Sequence, residues 1–164
     1  MFNLRNIMLD ITLITVGKIK DKSLANLAQD YIKRLKPFAK LRIIEVEASP
    51  INPKNQAATK VLEGERLLKT IKIEEEKARG GVVYLLAERG KSFASSPDLA
   101  VWLNKKNPLI LVIGGALGFS DALYKNYPQI SLSSLTFPHE LARVIFLEQF
   151  YRASLINIKK DYHY

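Results

Sequence analysis

The side chains best suited to move a proton or to hold an anion stand near the C-terminus of the chain. His139 follows Pro138 at the start of a long apolar segment, so it falls in the first turn of a predicted helix. The positive end of the helix dipole disfavours imidazolium, so we expect a neutral ring that can accept a proton. A structural histidine that bonds the preceding turn fits the same spacing. Arg152 lies one helical turn from Glu148, so it either contacts an anion or forms a surface ion pair.

The chain ends in a short aromatic segment, Asp161-Tyr162-His163-Tyr164. Tyrosine rings can stack on a nucleic-acid base, and a histidine beside them can transfer a proton. Chain ends are commonly frayed, so a tail without a role is the alternative.

Two turns of small residues could form a pocket close to these groups. The apolar run Leu109-Ile-Leu-Val-Ile113 ends in Gly114, Gly115 and Gly118, where backbone could approach a bound ligand. A second turn of small residues spans 131–136. The glycines do not form the G-x-G-x-x-G dinucleotide fingerprint or a Walker A loop. Taken alone, they fit an ordinary strand-to-helix turn, but the two turns together predict a pocket in an α/β domain.

Composition excludes several kinds of chemistry. The 164 residues contain no cysteine and two histidines, which rules out disulfides and thiolate catalysis and makes a zinc site of the usual kind improbable. No apolar run reaches membrane-spanning length, so we expect a soluble, cytoplasmic protein. Residues 1–8 are interpreted as a disordered leader, with Met8 as an alternative start, and residues 9–164 as one domain.

The net charge of +9 indicates a polyanionic partner, with nucleic acid the default. The excess is concentrated in residues 18–42, which hold eight basic and two acidic side chains, Lys18 and Lys20 among them. A lysine-rich solubilising surface is the alternative, and we favour nucleic-acid contact.

Alternating apolar strands and amphipathic helices predict an α/β fold with a mostly parallel sheet and helices on both faces. Strands are predicted over 10–17, 41–46, 82–86, 109–113 and near 130, and helices over 23–35, 53–76, 96–103 and 138–157, with a short helix after Gly118. Pro53 is expected in the first turn of the second helix, whose apolar stripe would contain Val61, Leu62, Leu68 and Ile71.

The last predicted helix is apolar on two sides. Arg143, Ser154 and Asn157 fall in one narrow strip, and Glu148, Gln149 and Arg152 lie roughly opposite, with apolar residues such as Phe146 and Phe150 between them. Such a helix is covered on both sides, either by a second copy of the chain or by the core of its own subunit.

Several motifs in order resemble one family. They are Gly17-Lys18, Leu-Leu-Ala-Glu-Arg-Gly-Lys (85–91), Ile-Gly-Gly-x-x-Gly-x-Ser (113–120), Ser-Leu-Ser-Ser-Leu-Thr-Phe-Pro-His (131–139), Leu-x-Arg-Val (141–144), Glu-Gln-Phe-Tyr-Arg-Ala (148–153) and the Tyr-His tail. Together they resemble the ribosomal RNA large subunit methyltransferase H family (RlmH), small SPOUT-class enzymes, over residues 9–164.

The resemblance implies a C-terminal deep trefoil knot, one of the rare exceptions to unknotted chains. It implies that the knot binds S-adenosyl-L-methionine, and that a homodimer with a catalytic surface drawn from both subunits methylates ring nitrogen 3 of a pseudouridine in 23S ribosomal RNA. Free RNA, the large subunit and the assembled ribosome are all open as the substrate, and no metal is required. The implied cofactor-binding residues are Leu86, Gly114, Gly115, Gly118, Leu132, Ser133, Ser134, Leu135, Thr136 and Phe137. The implied catalytic residues are His139, Arg152, Tyr162 and His163.

The chain departs from the family pattern at the glycine turn. Ala116 and Leu117 stand where the family usually has proline and glutamate, and Ala87 replaces a common aspartate. The backbone pocket needs only the glycines, so cofactor binding is still expected. A non-catalytic RNA-binding protein that keeps the pocket, and a methyltransferase for a different RNA, are the alternatives. If the chain is an enzyme, His163 or His139 would accept the imide proton, and Arg152 would stabilise the developing anion or hold a phosphate.

Overall fold

The computed structural model describes residues 8–160, which form five strands and five helices. In chain order these are β1 (Leu9–Val16), α1 (Lys22–Leu35), β2 (Ala39–Val46), α2 (Gln56–Lys77), β3 (Val82–Lys91), α3 (Ser96–Lys105), β4 (Leu109–Ile113), α4 (Asp121–Asn126), β5 (Gln129–Ile130) and α5 (His139–Asn157). No helix in this range is both long and apolar enough to cross a membrane.

The five strands form one parallel sheet in the order β2-β1-β4-β3-β5. β1 pairs with β2 along its whole length, from Leu9 beside Ala39 to Val16 beside Val46. β4 lies between β1 and β3, and all five of its residues are buried, as expected for a strand covered on both faces. The predicted parallel α/β sheet is therefore confirmed, while the knot stays a prediction.

Helices cover both faces of the sheet and create two apolar cores. On one face, α1, α3 and α5 pack over alternate strand residues such as Leu13 and Leu111. On the other face, α2 and α4 pack over the intervening residues, such as Ile14 and Val112. Because the strands are parallel, their C-terminal ends meet at one edge, where open α/β sheets bind ligands.

One helix start differs from the prediction. Pro53 lies in a turn in which Asn52 accepts a hydrogen bond from the backbone N–H of Lys54, and α2 begins three residues later. Asn55 is its cap, since the side chain of Asn55 accepts from the N–H of Ala58. In the same way Ser95 caps α3 by accepting from the N–H of Asp98. At α2 the side-chain cap thus outweighs the preference of proline for the first turn, whereas α3 begins at Ser96 as predicted and keeps Pro97 in its first turn.

The predicted apolar stripe of α2 is wrong for two of its four members. Val61 and Leu62 are 54% and 44% exposed. The stripe that faces the sheet instead contains Thr59, Glu63, Gly64, Leu67, Ile71 and Glu74. The polar residues of this face are buried too, so a search for apolar residues alone does not find the face.

The side of α5 that carries Phe146 and Phe150 is buried within one subunit. Phe146 and Phe150 are 1% and 0% exposed and stack on each other with ring centroids 5.9 Å apart. The strip of Arg143, Ser154 and Asn157 also faces other parts of the chain, because Ser154 bonds the carbonyl of Phe150 and Asn157 pairs with Asn104. A charge at Phe146 or Phe150 would therefore disrupt the subunit core before it could report on a dimer.

Candidate active site

A cavity of about 510 Å³ opens at the C-terminal edge of the sheet. The glycine turn after β4 forms one wall, and the loop between β5 and α5 forms the other. The middle of β3 closes it at Leu86, and the first turn of α5 closes it at His139 and Ala142. This size suits a small ligand or cofactor, and the cavity lies where the two predicted turns meet.

The glycine turn is tightly packed, and its geometry restricts which residues it can hold. Gly118 has φ +75°, a conformation that side chains rarely adopt, and its N–H bonds the carbonyl of Gly115 at 3.0 Å. A Cβ on Gly114 would lie 3.2 Å from the backbone of Gly118 and 3.3 Å from the ring of Phe119. These glycines therefore serve the packing of the turn itself, in addition to any approach of a ligand. For this reason a bulky side chain at Gly114 would distort the turn.

The opposite wall is held by short hydrogen bonds. Ser131 is buried. Its hydroxyl donates to the carbonyl of Ser133 and accepts from the N–H of Ser133. Thr136 donates its hydroxyl to Glu88 at 2.7 Å, which links this loop to the end of β3 across the cavity. Both residues line the cavity, so the bond joins two parts of its lining.

His139 begins α5 and faces the cavity. Partial burial is the main cause that lowers its pKa below the 6.5 of a free imidazole, and the positive charge of Arg143 lowers it further. The carboxylates of Glu140 and Glu63 act in the opposite direction, and Lys20 adds to the lowering. At neutral pH the ring is therefore uncharged and able to accept a proton. The sequence predicts this state from the helix dipole, whereas burial and the charge of Arg143 are its causes in the structure.

The first turn of α5 holds the loop between β1 and α1. Arg143 is 3% exposed and donates to the carbonyls of Val16 and of Gly17, the latter at 2.9 Å. Glu140 accepts from the N–H groups of Lys20 and Asp21 at 3.0 and 3.1 Å. These bonds hold the loop with the exposed Lys18 and Lys20 against the start of α5, and Lys20 is near enough to His139 to affect its pKa.

Arg152 does not line this cavity. It pairs with Glu148 at 2.5 Å, so the predicted ion pair is present. It stands 13 residues after His139 on the same helix, which is roughly 20 Å along the helix axis. One nucleotide cannot contact both side chains within one subunit.

The structure brings most of the predicted cofactor residues together. Those that line the cavity are Leu86, Gly114, Gly115, Gly118, Leu132, Ser133, Leu135, Thr136 and Phe137. Ser134 is not among the lining residues, and Tyr162 and His163 lie outside the described residues. The cavity is also lined by four residues that were not predicted from the sequence, Glu88, Phe119, Tyr124 and Ala142. Phe119 and Tyr124 follow the glycines closely in the sequence, and this position could have indicated that they line the same cavity.

Comparison with known proteins decides the family. The model of a family described as predicted SPOUT methyltransferase matches residues 9–163. The chain belongs to the SPOUT methyltransferase family. The fold also agrees with a solved structure, a probable methyltransferase from Bordetella pertussis Tohama I, with a TM-score of 0.52 at 12% identity, covering 90% of this chain and 95% of that one.

Two relatives of this SPOUT methyltransferase have the name ribosomal RNA large subunit methyltransferase H. The protein from Symbiobacterium thermophilum is 40% identical over 165 residues, which cover 93% of this chain and 98% of that protein. The protein from Kosmotoga olearia is 36% identical, with 95% of this chain and 100% of that protein covered. The similarity therefore extends over nearly the whole of each chain.

Proposed function

We propose that this SPOUT methyltransferase binds S-adenosyl-L-methionine in the 510 Å³ cavity and methylates ring nitrogen 3 of a pseudouridine in 23S ribosomal RNA, acting in the cytoplasm. The observation that carries the proposal is the position of an uncharged His139 at the mouth of a glycine-lined cavity. The names of the full-length relatives support ribosomal RNA of the large subunit as the substrate.

The residues of the cavity fit the cofactor chemically. Backbone groups of the glycine turn and of loop 131–137 suit its polar atoms, and Leu86, Phe119 and Leu132 supply apolar surface for an adenine ring. When bound, the cofactor supplies a methyl group already activated on a sulfonium. The task of the protein is therefore to position the target nitrogen and to control charge.

Side chains of the protein then accept the proton and bind the RNA. The imide nitrogen must lose its proton, and His139 or His163 accepts it. Lys18 and Lys20 are exposed on the loop that Glu140 and Arg143 hold against α5, and they suit the phosphates around the target nucleotide. Arg152 suits the developing anion or a phosphate.

Transfer of a labelled methyl group to 23S ribosomal RNA from a strain that lacks the modification tests the proposal. Labelled RNA is the expected result. RNA left unlabelled by a protein that binds the cofactor would favour the non-catalytic RNA-binding alternative.

Two glycine substitutions test the cavity as the cofactor site. Gly118 and Gly80 both have positive φ, +75° and +96°, but Gly80 lies in the α2–β3 turn, with nothing within 4 Å of an added Cβ. Each change to alanine is expected to cost about 1–2 kcal/mol of folding free energy through backbone strain. Calorimetry is expected to show weaker binding of S-adenosylmethionine, by tenfold or more, for Gly118→Ala alone. Equal affinities of the two variants for S-adenosylmethionine would contradict the assignment of this cavity as the cofactor site.

The wide separation of His139 and Arg152 supports a homodimer. If two copies pack through α5 and its neighbour α1, with the two α5 helices antiparallel, Arg152 of one copy can approach His139 of the other. We propose this arrangement, in which each site is completed by two subunits.

A pair of exposed leucines tests the dimer. Leu27 on α1 is 43% exposed and Leu62 on α2 is 44% exposed, so a folded monomer tolerates a charge at either position. Leu27→Glu is expected to give the mass of a monomer in light scattering at micromolar concentration, because it places a charge in the subunit contact. Leu62→Glu is expected to remain a dimer. A monomeric wild-type protein would contradict the proposed assembly.

A further inference from the structure

Glu63 is a buried acidic side chain that the mechanism above does not use. It lies on α2 and is 6% exposed, while Glu65 on the same helix is exposed. One carboxylate oxygen, Oε1, accepts a hydrogen bond from the backbone N–H of Ser49 at 2.9 Å. Within residues 8–160 no basic side chain forms an ion pair with it. Buried carboxylates usually have such a partner, since an unpaired buried charge is costly.

The second oxygen of this carboxylate lies directly behind the wall of the cavity. A Cβ built on Gly115 would lie 2.7 Å from Oε2 of Glu63, and Gly115 lines the cavity. Helix α2 comes this close because Gly64 has no side chain: a Cβ there would lie 2.4 Å from the hydroxyl of Ser120, which follows the glycine turn. Only backbone therefore separates the charge of Glu63 from the cavity.

The charge of Glu63 also acts at the other side of the cavity. Its carboxylate raises the pKa of His139 against the lowering by burial and Arg143. A positively charged ligand in the cavity would experience the same field and would offset part of the cost of the buried charge.

We propose that Glu63 is a specificity-determining residue that makes the cavity favour a positively charged ligand over its neutral counterpart. The inference rests on the proposed function, because it takes the sulfonium cofactor as the ligand. During transfer the bond between sulfur and methyl carbon breaks as the bond between nitrogen and methyl carbon forms. Sulfur keeps the bonding pair and becomes a neutral thioether, and the histidine base holds the imide proton. The product S-adenosylhomocysteine has thus lost the charge that Glu63 attracts, which favours its release.

Calorimetry with both ligands separates an effect of charge from an effect of shape. Glu63→Gln keeps an oxygen that accepts from Ser49 but removes the charge. Glu65→Gln makes the same charge change on an exposed position of the same helix. For Glu63→Gln we expect about fivefold weaker binding of S-adenosylmethionine and unchanged binding of S-adenosylhomocysteine. For Glu65→Gln we expect no change in either. The decisive quantity is the ratio of the dissociation constants of the two ligands, compared between Glu63→Gln and the wild type. A change in this ratio supports the inference whichever ligand the wild type binds more tightly.

The contradicting results are equally specific. If Glu63→Gln leaves the ratio unchanged, or weakens both ligands equally, Glu63 supports only the shape of the turn and the inference is overturned. If Glu63→Gln fails to fold, Glu63→Asp, which keeps the charge, is expected to retain the wild-type ratio within about twofold, and a fivefold fall would overturn the inference. A wild-type protein that binds neither ligand would instead overturn the proposed function.

Discussion

A protein that ends at Lys160 is expected to bind S-adenosylmethionine as tightly as the full chain does, yet to transfer methyl groups roughly 10²–10⁴ times more slowly. The described residues that line the cavity, and the whole of α5, precede residue 161, so we expect cofactor affinity and dimer mass to stay unchanged. Tyr162 and His163 would supply base stacking and a proton acceptor, which act in the transition state. Single-turnover methylation and calorimetry on the same samples measure the two effects separately.

Two single substitutions assign the proton acceptor. His163→Ala is expected to reproduce most of the loss in the truncated protein, and Tyr164→Ala serves as its neighbouring control with a rate close to wild type. A truncated protein that methylates RNA at the full rate would show that the tail has no catalytic role. His139 would then be the first candidate for the base.

Replacing Arg143 with methionine is expected to lower the free energy of unfolding by about 3 kcal/mol. The change keeps an unbranched apolar stem but leaves the carbonyls of Val16 and Gly17 without their donor in a buried place. It also releases the β1–α1 loop that presents Lys18 and Lys20, so RNA binding should weaken. Denaturant unfolding at a fixed protein concentration measures the stability.

Arg89→Met is the control for this substitution, because Arg89 is an exposed arginine on β3. Its effect on unfolding is expected to stay within about 0.5 kcal/mol. If the two variants were equally stable, the bonds from Arg143 would not hold the end of β1.

The alternation of elements was predictable because the strands are apolar and β-branched and the helices are periodic. The strand Leu109–Ile113, the turn after it and the helix from His139 agree with the structure. The cavity between the two turns was also predictable, since both turns follow strands of one parallel sheet.

Long-range packing explains what the sequence pattern missed. The buried face of α2 contains Glu63 and Gly64, which a search for apolar residues does not select. These two residues pack against Gly115 and Ser120, which are more than 50 residues away in the sequence. Arg143 is a charged residue that a sequence pattern would place on the surface, but its partners are the backbone carbonyls of Val16, at the end of β1, and of Gly17 after it. These contacts depend on the meeting of distant elements, which local spacing does not encode.

Nucleoside analysis of methylated RNA tests the central claim most directly. The wild-type protein is incubated with S-adenosylmethionine and, in parallel, with free 23S ribosomal RNA, large subunits or assembled ribosomes from a strain without the modification. The digested RNA is then examined by mass spectrometry. The account predicts one new nucleoside, a pseudouridine methylated at ring nitrogen 3, in at least one of the three substrates and none with His139→Ala combined with His163→Ala. A methyl group on any other nucleoside, or none in all three substrates, would contradict it.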